Sequence, residues 1–407
     1  YERYLREVQI ADGDLFQPML RRGAVWRADA CPERGCRVRY RYLLAKAARA
    51  VDDVDEAMAH SGSYLATPPL WLLRPTQDFD EARARLHVSV PPGLRFVTGL
   101  FPAPGGGPDT YEADLWHLDA APYSAFGPLR TVTADVQGGR LEVAIPPGFQ
   151  RSEEELLAWA TRSAQVVGTY FAGFPVPRLA LFLLPTRGAE IGLGTTMGHG
   201  GAAIVIFVGR EIAPADLRDD WVLPHEMIHL AMSPLRIRHR WLKEGIATYV
   251  EPIARARAGQ IPVERVWDRF LESMKEGLPG WGDQGLDNTP TWGRLYWGGA
   301  LFCLLADVEI RERTGNRKSL DDAFRAIVKA GGNIAVSWEI DQVLREGDRG
   351  IGLPILSELY ARMANQPVPV DLDGLWRRLG ISRQGDSVRF HDDAPLAGIR
   401  RAITAPL

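Results

Sequence analysis

At 407 residues the chain is long enough for two or three domains around a well-buried core. Its 46% hydrophobic and 24% charged content is that of an ordinary globular protein. A formal net charge of −3 argues against nucleic acid or an anionic membrane surface as partner. No apolar run approaches the ~18 residues that a membrane span needs.

The chain opens on Tyr1 rather than methionine. A cleaved secretory signal accounts for this, as does trimming, and the first implies a periplasmic or extracellular setting. Cys31-Pro-Glu-Arg-Gly-Cys36 brackets a turn-forming quartet. A small disulfide of an oxidising compartment and a pair of free thiols both fit it. Residues 1–150 read as strand and loop. Cys36 to Tyr42 alternates in the period of a half-buried strand, and His87 to Val90 and Arg95 to Val97 are shorter candidates. Thr131 to Val136 and Arg140 to Ile145, joined at Gly138-Gly139, form a hairpin pattern. His60, His87 and His117 are scattered along this region and read as packed or surface residues.

The period changes at Ser152-Glu-Glu-Glu155, a capping box that opens a helix running to about Phe171. Leu179 to Leu184 and Ala202 to Val208 are continuous apolar runs of buried-strand length. Between them lie Gly192-Leu-Gly194 and Gly198-His-Gly-Gly201. These glycines fit either a flexible loop or a place where substrate backbone approaches closely. His199 stands among them as a candidate substrate contact.

Next comes Trp221-Val-Leu-Pro-His-Glu-Met-Ile-His-Leu230, with His225, Glu226 and His229 in the order H-E-x-x-H. Residues four apart share one face of a helix, so both imidazoles reach one point, and Glu226 lies about 100° round from them. Two neutral imidazoles beside a carboxylate suit a catalytic zinc ion, with the acid deprotonating a zinc-bound water of pKa about 7. Met227, Ile228 and Leu230 read as the buried side. Such a zinc takes three protein ligands and keeps one open position. Ser233-Pro234 ends the first helix. The apolar spacing of Trp241, Ile246, Ala247 and Val250 then marks a second, and Glu244 in its first turns is the natural third ligand. Thr248 and Glu251 follow on the same face, where either would hold a histidine by its second ring nitrogen. Beyond residue 260 the pattern is helical: Val263 to Lys275, Tyr296 to Thr314, Ser319 to Ala330, Ile340 to Glu346 and Asp371 to Leu379, with Ser387 to Phe390 as a closing strand. Cys303 reads as a core residue.

His225-Glu-Met-Ile-His229 with Trp241-Leu-Lys-Glu-Gly-Ile-Ala-Thr-Tyr-Val-Glu251 resembles the gluzincin metallopeptidases, in particular the M1 and M61 aminopeptidases and peptidase-MA-like proteins. In those families W-L-x-E-G-x-A supplies the third ligand. Tyr296-Trp-Gly-Gly-Ala300 is similar to their Y-x-K-G-A, whose tyrosine stabilises the tetrahedral intermediate; an aromatic that simply packs in the core is the other reading of Tyr296. The segment Ala306 to Asp322 is similar to the helical part of M61-like proteins, and the likeness covers roughly residues 150–345. Three features depart from it. Fourteen residues separate His229 from Glu244, a shorter spacer than in M1 enzymes. Thr195-Thr-Met-Gly-His199 replaces G-x-M-E-N and lacks the glutamate that grips a free amino group. Gly298 replaces the lysine of Y-x-K-G.

The resemblance implies an α+β chain with a β-rich N-terminal domain over residues 1–150. A thermolysin-like zinc catalytic domain follows over 151–265, where extended substrate adds to an edge strand beside the metal, and then a helical C-terminal region over 266–407. The expected function is a zinc-dependent metallopeptidase acting on peptides or proteins, with Zn2+ on His225, His229 and Glu244, Glu226 as base and Tyr296 as oxyanion donor. A zinc hydrolase of a non-peptide amide or ester shares that chemistry. A non-catalytic binding protein on the same fold would have no use for Glu226. The sequence carries no signal for an oligomeric state.

Overall fold

The computed structural model describes residues 2–12, 15–27, 35–76, 82–385 and 387–406. At its centre is a five-stranded sheet. In spatial order the strands are Arg130–Val136, Gly139–Ile145, Arg178–Thr186, Ala203–Gly209 and Ile191–Met197. The first two form an antiparallel hairpin, the next two add in parallel, and Ile191–Met197 closes one edge antiparallel to its neighbour. Gln137 and Gly138 make the hairpin turn, both at positive φ, as a two-residue turn that matches strand twist requires. Gly139 is already the first residue of the second strand.

The two apolar runs are parallel central strands, buried on both faces. Leu179, Leu181, Leu183, Ile204, Ile206 and Val208 project to one side, into a core with the helices. Ala180, Phe182, Leu184, Ala203 and Val205 project to the other, against Leu65, Val97, Tyr123 and Ala125. Leu65, Val97 and Ala125 come from an N-terminal four-stranded sheet ordered Ala57–His60, Ser63–Ala66, Ser124–Gly127 and Arg95–Thr98, and Tyr123 immediately precedes its third strand. Arg178 ties the layers together, donating to the carbonyls of Thr98 at 2.7 Å and Leu100 at 2.9 Å and pairing with Glu142.

The helix Glu153–Phe171 carries the chain from the hairpin to the central strands. Its capping box is complete, with the Glu155 amide donating to Ser152 Oγ at 3.2 Å and the Ser152 amide donating to Glu155 Oε2 at 2.9 Å. The strands expected near residues 36–42 and 95–97 are Val38–Tyr42 and Arg95–Thr98, whereas the one expected over 87–90 lies earlier, at Arg83–His87, and Val88 to Val90 are in no strand. Cys31 lies outside the described residues, and with it any pairing to Cys36; Cys303 is a buried free thiol.

The C-terminal part is helical and includes two helices that the sequence pattern does not reveal, Ile355–Met363 and Ala397–Thr404. Asp307 anchors three elements here, accepting from Arg311 Nε at 2.8 Å, the Leu320 amide at 3.0 Å and the Tyr249 hydroxyl at 2.9 Å.

The hairpin before residue 150 belongs to the central sheet, because Gly139–Ile145 bonds in parallel to Arg178–Thr186. One continuous apolar core also runs from Val136 to Ile403, across residue 265. Among the described residues no helix is long and apolar enough to cross a membrane.

Candidate metal centre

The histidines stand on a short helix, Val222–Ile228, that tightens into a 3-10 turn at His229–Ala231. Leu223, Met227, Ile228 and Leu230 bury its inner side. Asp220 organises the entry, accepting from the amides of Val222 at 2.8 Å and Leu223 at 3.2 Å and from Trp159 Nε1 at 3.0 Å. Those amides have no partner within the helix, so the carboxylate satisfies donors that the first turn leaves open. Burial pushes the Asp220 carboxyl up to about 6, against the opposing pull of these hydrogen bonds.

Glu244 stands one turn into the second helix, Arg240–Arg257. Buried Asp287 pins the start of this helix: it pairs with His239 Nδ1 at 3.0 Å and accepts from Trp241 Nε1 at 2.7 Å and the Tyr360 hydroxyl at 2.8 Å. Beside Glu244 the helix touches a third one backbone to backbone. A Cβ on Gly245 would lie 2.2 Å from the Gly299 carbonyl carbon, and one on Gly299 would lie 2.1 Å from the Trp241 oxygen. Glycine at both positions is what lets the two chains meet. The segment leading into Gly299 is a π-helical turn, Arg294–Gly298, and it carries Tyr296 to the site.

The structure thus brings His225, His229 and Glu244 together, all buried, with one ligand atom from each within 4.8 Å of the others. Glu244 Oε2 lies 3.6 Å from His225 Nε2 and 3.4 Å from His229 Nε2. Ligands around a tetrahedral zinc at about 2.0–2.1 Å sit about 3.3 Å apart, so Glu244 already stands near that spacing from each histidine. Their protonation also suits a cation. Burial, then Lys243, lowers the His229 pKa and favours the neutral ring, against the pull of Glu244. Burial works to raise Glu244, but the histidines and Lys243 outweigh it and hold the carboxyl well below the ordinary range. A neutral imidazole and a charged carboxylate are the ligand forms that a metal ion requires.

Glu226 stays out of this trio. Thr196 on the edge strand donates to its Oε2 at 2.6 Å and to its backbone oxygen at 2.9 Å. On the same strand a Cβ at Gly194 would lie only 2.5 Å from Glu226 Cγ. The whole edge strand, the three metal-centre residues, Glu226 and Tyr296 line one cavity of about 1000 Å³. The Tyr296 ring lies 6.5 Å from that of His225. Burial, then Glu244, raises its hydroxyl pKa against the effect of Arg240, which keeps it a hydrogen-bond donor. Leu193, Trp221 and Trp292, all exposed, form apolar walls of the same cavity.

Other expectations from the sequence need correction. Glu251 does not approach the histidines; it is fully buried and paired with Arg255 at 2.9 Å and Arg269 at 2.7 Å. Thr248 lines the cavity, but its Oγ1 and His225 Nδ1 are each buried without a hydrogen-bond partner among the described residues. The glycines after residue 191 face the protein's own atoms, with Gly194 against Glu226, Gly198 against the Ile334 carbonyl and Gly201 against that of Gly99. His199 lines a neighbouring cavity, bonded through Nδ1 to Ser337 Oγ at 3.1 Å. Sequence reasoning missed Thr196 and the strand that bears it. The alternation of Thr196 with Gly194 was the available signal.

No family model matches the sequence, and none of the curated proteins does. Solved structures do resemble it. An aminopeptidase N family protein from Idiomarina loihiensis superposes with a TM-score of 0.69 at 15% identity, over 94% of this chain and 71% of that one. A mutant of a two-domain M1 zinc metallopeptidase, bound to L-arginine, gives 0.52 at 16% identity, over 79% and 74% of the two chains. At these identities the likeness establishes the fold, which is gluzincin aminopeptidase-like and mixed α+β.

Two outcomes follow from this geometry. The Asp220 carboxyl titrates near 6 in the folded chain against an ordinary 3.8, so the native state holds the extra proton between those values. Stability attributable to this group therefore falls as pH rises from about 4 to about 6 and levels off above, by up to about 3 kcal/mol. Denaturant titrations at pH 4, 5, 6 and 7 should show that decline in the parent and not in Asp220→Asn. Gly194→Ala should displace Glu226 while leaving the metal trio in place. A crystal structure of the variant should show the Glu226 side chain shifted from Thr196, with His225, His229 and Glu244 unmoved.

Proposed function

We propose that the chain is a zinc-dependent metallopeptidase. The observation that carries this reading is the three-ligand face of His225, His229 and Glu244, with Glu226 beside it and an unpaired sheet edge along the same cavity. When bound by these three residues, zinc supplies a Lewis acid that polarises a carbonyl and acidifies a water. Glu226, oriented by Thr196, takes a proton from the attacking water and delivers it to the leaving amine. Tyr296 donates a hydrogen bond to the oxygen that gains charge as the carbonyl carbon becomes tetrahedral. The outer side of Ile191–Met197 offers main-chain donors and acceptors to an extended peptide, and this favours peptides over other amides and esters. The resemblance in fold to M1 zinc metallopeptidases supports the same reading. The Cys31 and Cys36 spacing supports an oxidising, periplasmic or extracellular setting.

Purified protein should contain about one zinc per chain, and a chelator should abolish peptide cleavage that added zinc restores. Glu226→Gln should keep the zinc and lose at least about 10²-fold in kcat. Tyr296→Phe should lower kcat by about 10²-fold with little change in KM, since its bond forms chiefly in the transition state. Peptide cleavage at parental rates by zinc-loaded Glu226→Gln would remove Glu226 as the base.

A further inference from the structure

The metal cavity opens into a second one of about 560 Å³, and Arg240 and Lys243 line both. They sit in the first turn of the helix that carries Glu244, a turn with no acidic residue. Cations there add to the positive end of the helix dipole, an arrangement that costs stability unless an anion answers it. The neighbouring bases are otherwise engaged: Arg236 pairs with Glu339 at 2.9 Å, and Arg238 donates to His239 at 3.1 Å. Lys243 has no ion pair among the described residues, and the acid within reach of Arg240 is Glu244, at 4.0 Å, which the metal claims. Asp55 also lines the junction and is not ion-paired with either cation. Among the residues that line both cavities two cations face one carboxylate; Glu56 and Asp119 line the second cavity further out, Asp119 paired with Arg74.

We infer that Arg240 and Lys243 hold a carboxylate of the substrate at this junction, so that the cleft selects peptides carrying a negative charge close to the scissile bond. The inference rests on the peptidase reading and names its substrate class. The carboxylate comes either from a free C-terminus or from an aspartate or glutamate side chain. As fixed charges on the helix that also presents Glu244, the two residues would set the distance between that anion and the metal. They position substrate and take no part in the bond-breaking step.

The test uses zinc-loaded Glu226→Gln protein, which should bind peptides without cleaving them, and isothermal titration calorimetry. One arm compares short peptides ending in a free carboxylate with their C-terminal amides. The other compares end-capped peptides bearing Asp or Glu with their Asn or Gln counterparts at each position. In at least one arm the acid should bind about tenfold tighter than its neutral isostere. Adding Arg240→Gln and Lys243→Gln together should bring that ratio towards one, and Lys243→Arg should preserve it, with zinc content and thermal melting followed in parallel. Equal affinities in both arms, or a preference that survives the double substitution, would overturn the inference and leave the peptidase reading standing. Failure to bind any peptide would instead count against the peptidase reading. The carboxylate site is then read with glutarate against glutaramide, and equal binding of those two would overturn the inference as well.

Discussion

Everything at the candidate centre depends on how closely two helices approach at Gly245 and Gly299. Glu244 immediately precedes one contact point, and Tyr296 sits three residues before the other. Main chain meets main chain there, so the separation of Glu244 from Tyr296 is set by backbone dimensions rather than by flexible side chains. Any side chain larger than hydrogen would wedge the helices apart and move both groups at once. The Asp287 cluster fixes the same helix at its start, holding His239 and Trp241 just ahead of Glu244.

Buried charge joins these elements further from the site. Glu251 answers both Arg255 and Arg269. Arg269 in turn lies over the rings of Trp221 at 5.4 Å and Trp297 at 5.7 Å. One arginine thereby bridges the residue before the histidine helix and the turn that bears Tyr296. Removing one partner from a buried pair of this kind typically costs about 3–5 kcal/mol, more than an exposed pair could contribute. The glutamate expected to steady a histidine thus acts at a distance, by holding together the helices on which the site residues ride.

The histidine helix, the glutamate helix and the two buried strands were legible because each has a strong local signature: H-E-x-x-H spacing, helical apolar periodicity and unbroken apolar runs. The edge strand was not, because Gly192 and Gly194 dilute its pattern and only packing explains them, Gly194 against Glu226 and Gly192 against Phe207. The π-turn at Arg294–Gly298 also escaped, since a hydrogen-bond shift within a helix leaves no periodic trace in the sequence. Ile355–Met363 and Ala397–Thr404 are short and take their stability from tertiary burial. The two cations ahead of Glu244 carry no signal of their own in the sequence; the cavities on either side of them do.

The hairpin that leads into the central sheet has a consequence for how this chain can be divided. Gly139–Ile145 shields one side of the central strand from Arg178 to Phe182. A fragment beginning after the hairpin would expose that side as a nearly all-apolar row of unpaired amides and carbonyls. Such a border recruits strands from other molecules. The hairpin thus protects the rest of the central sheet from self-association.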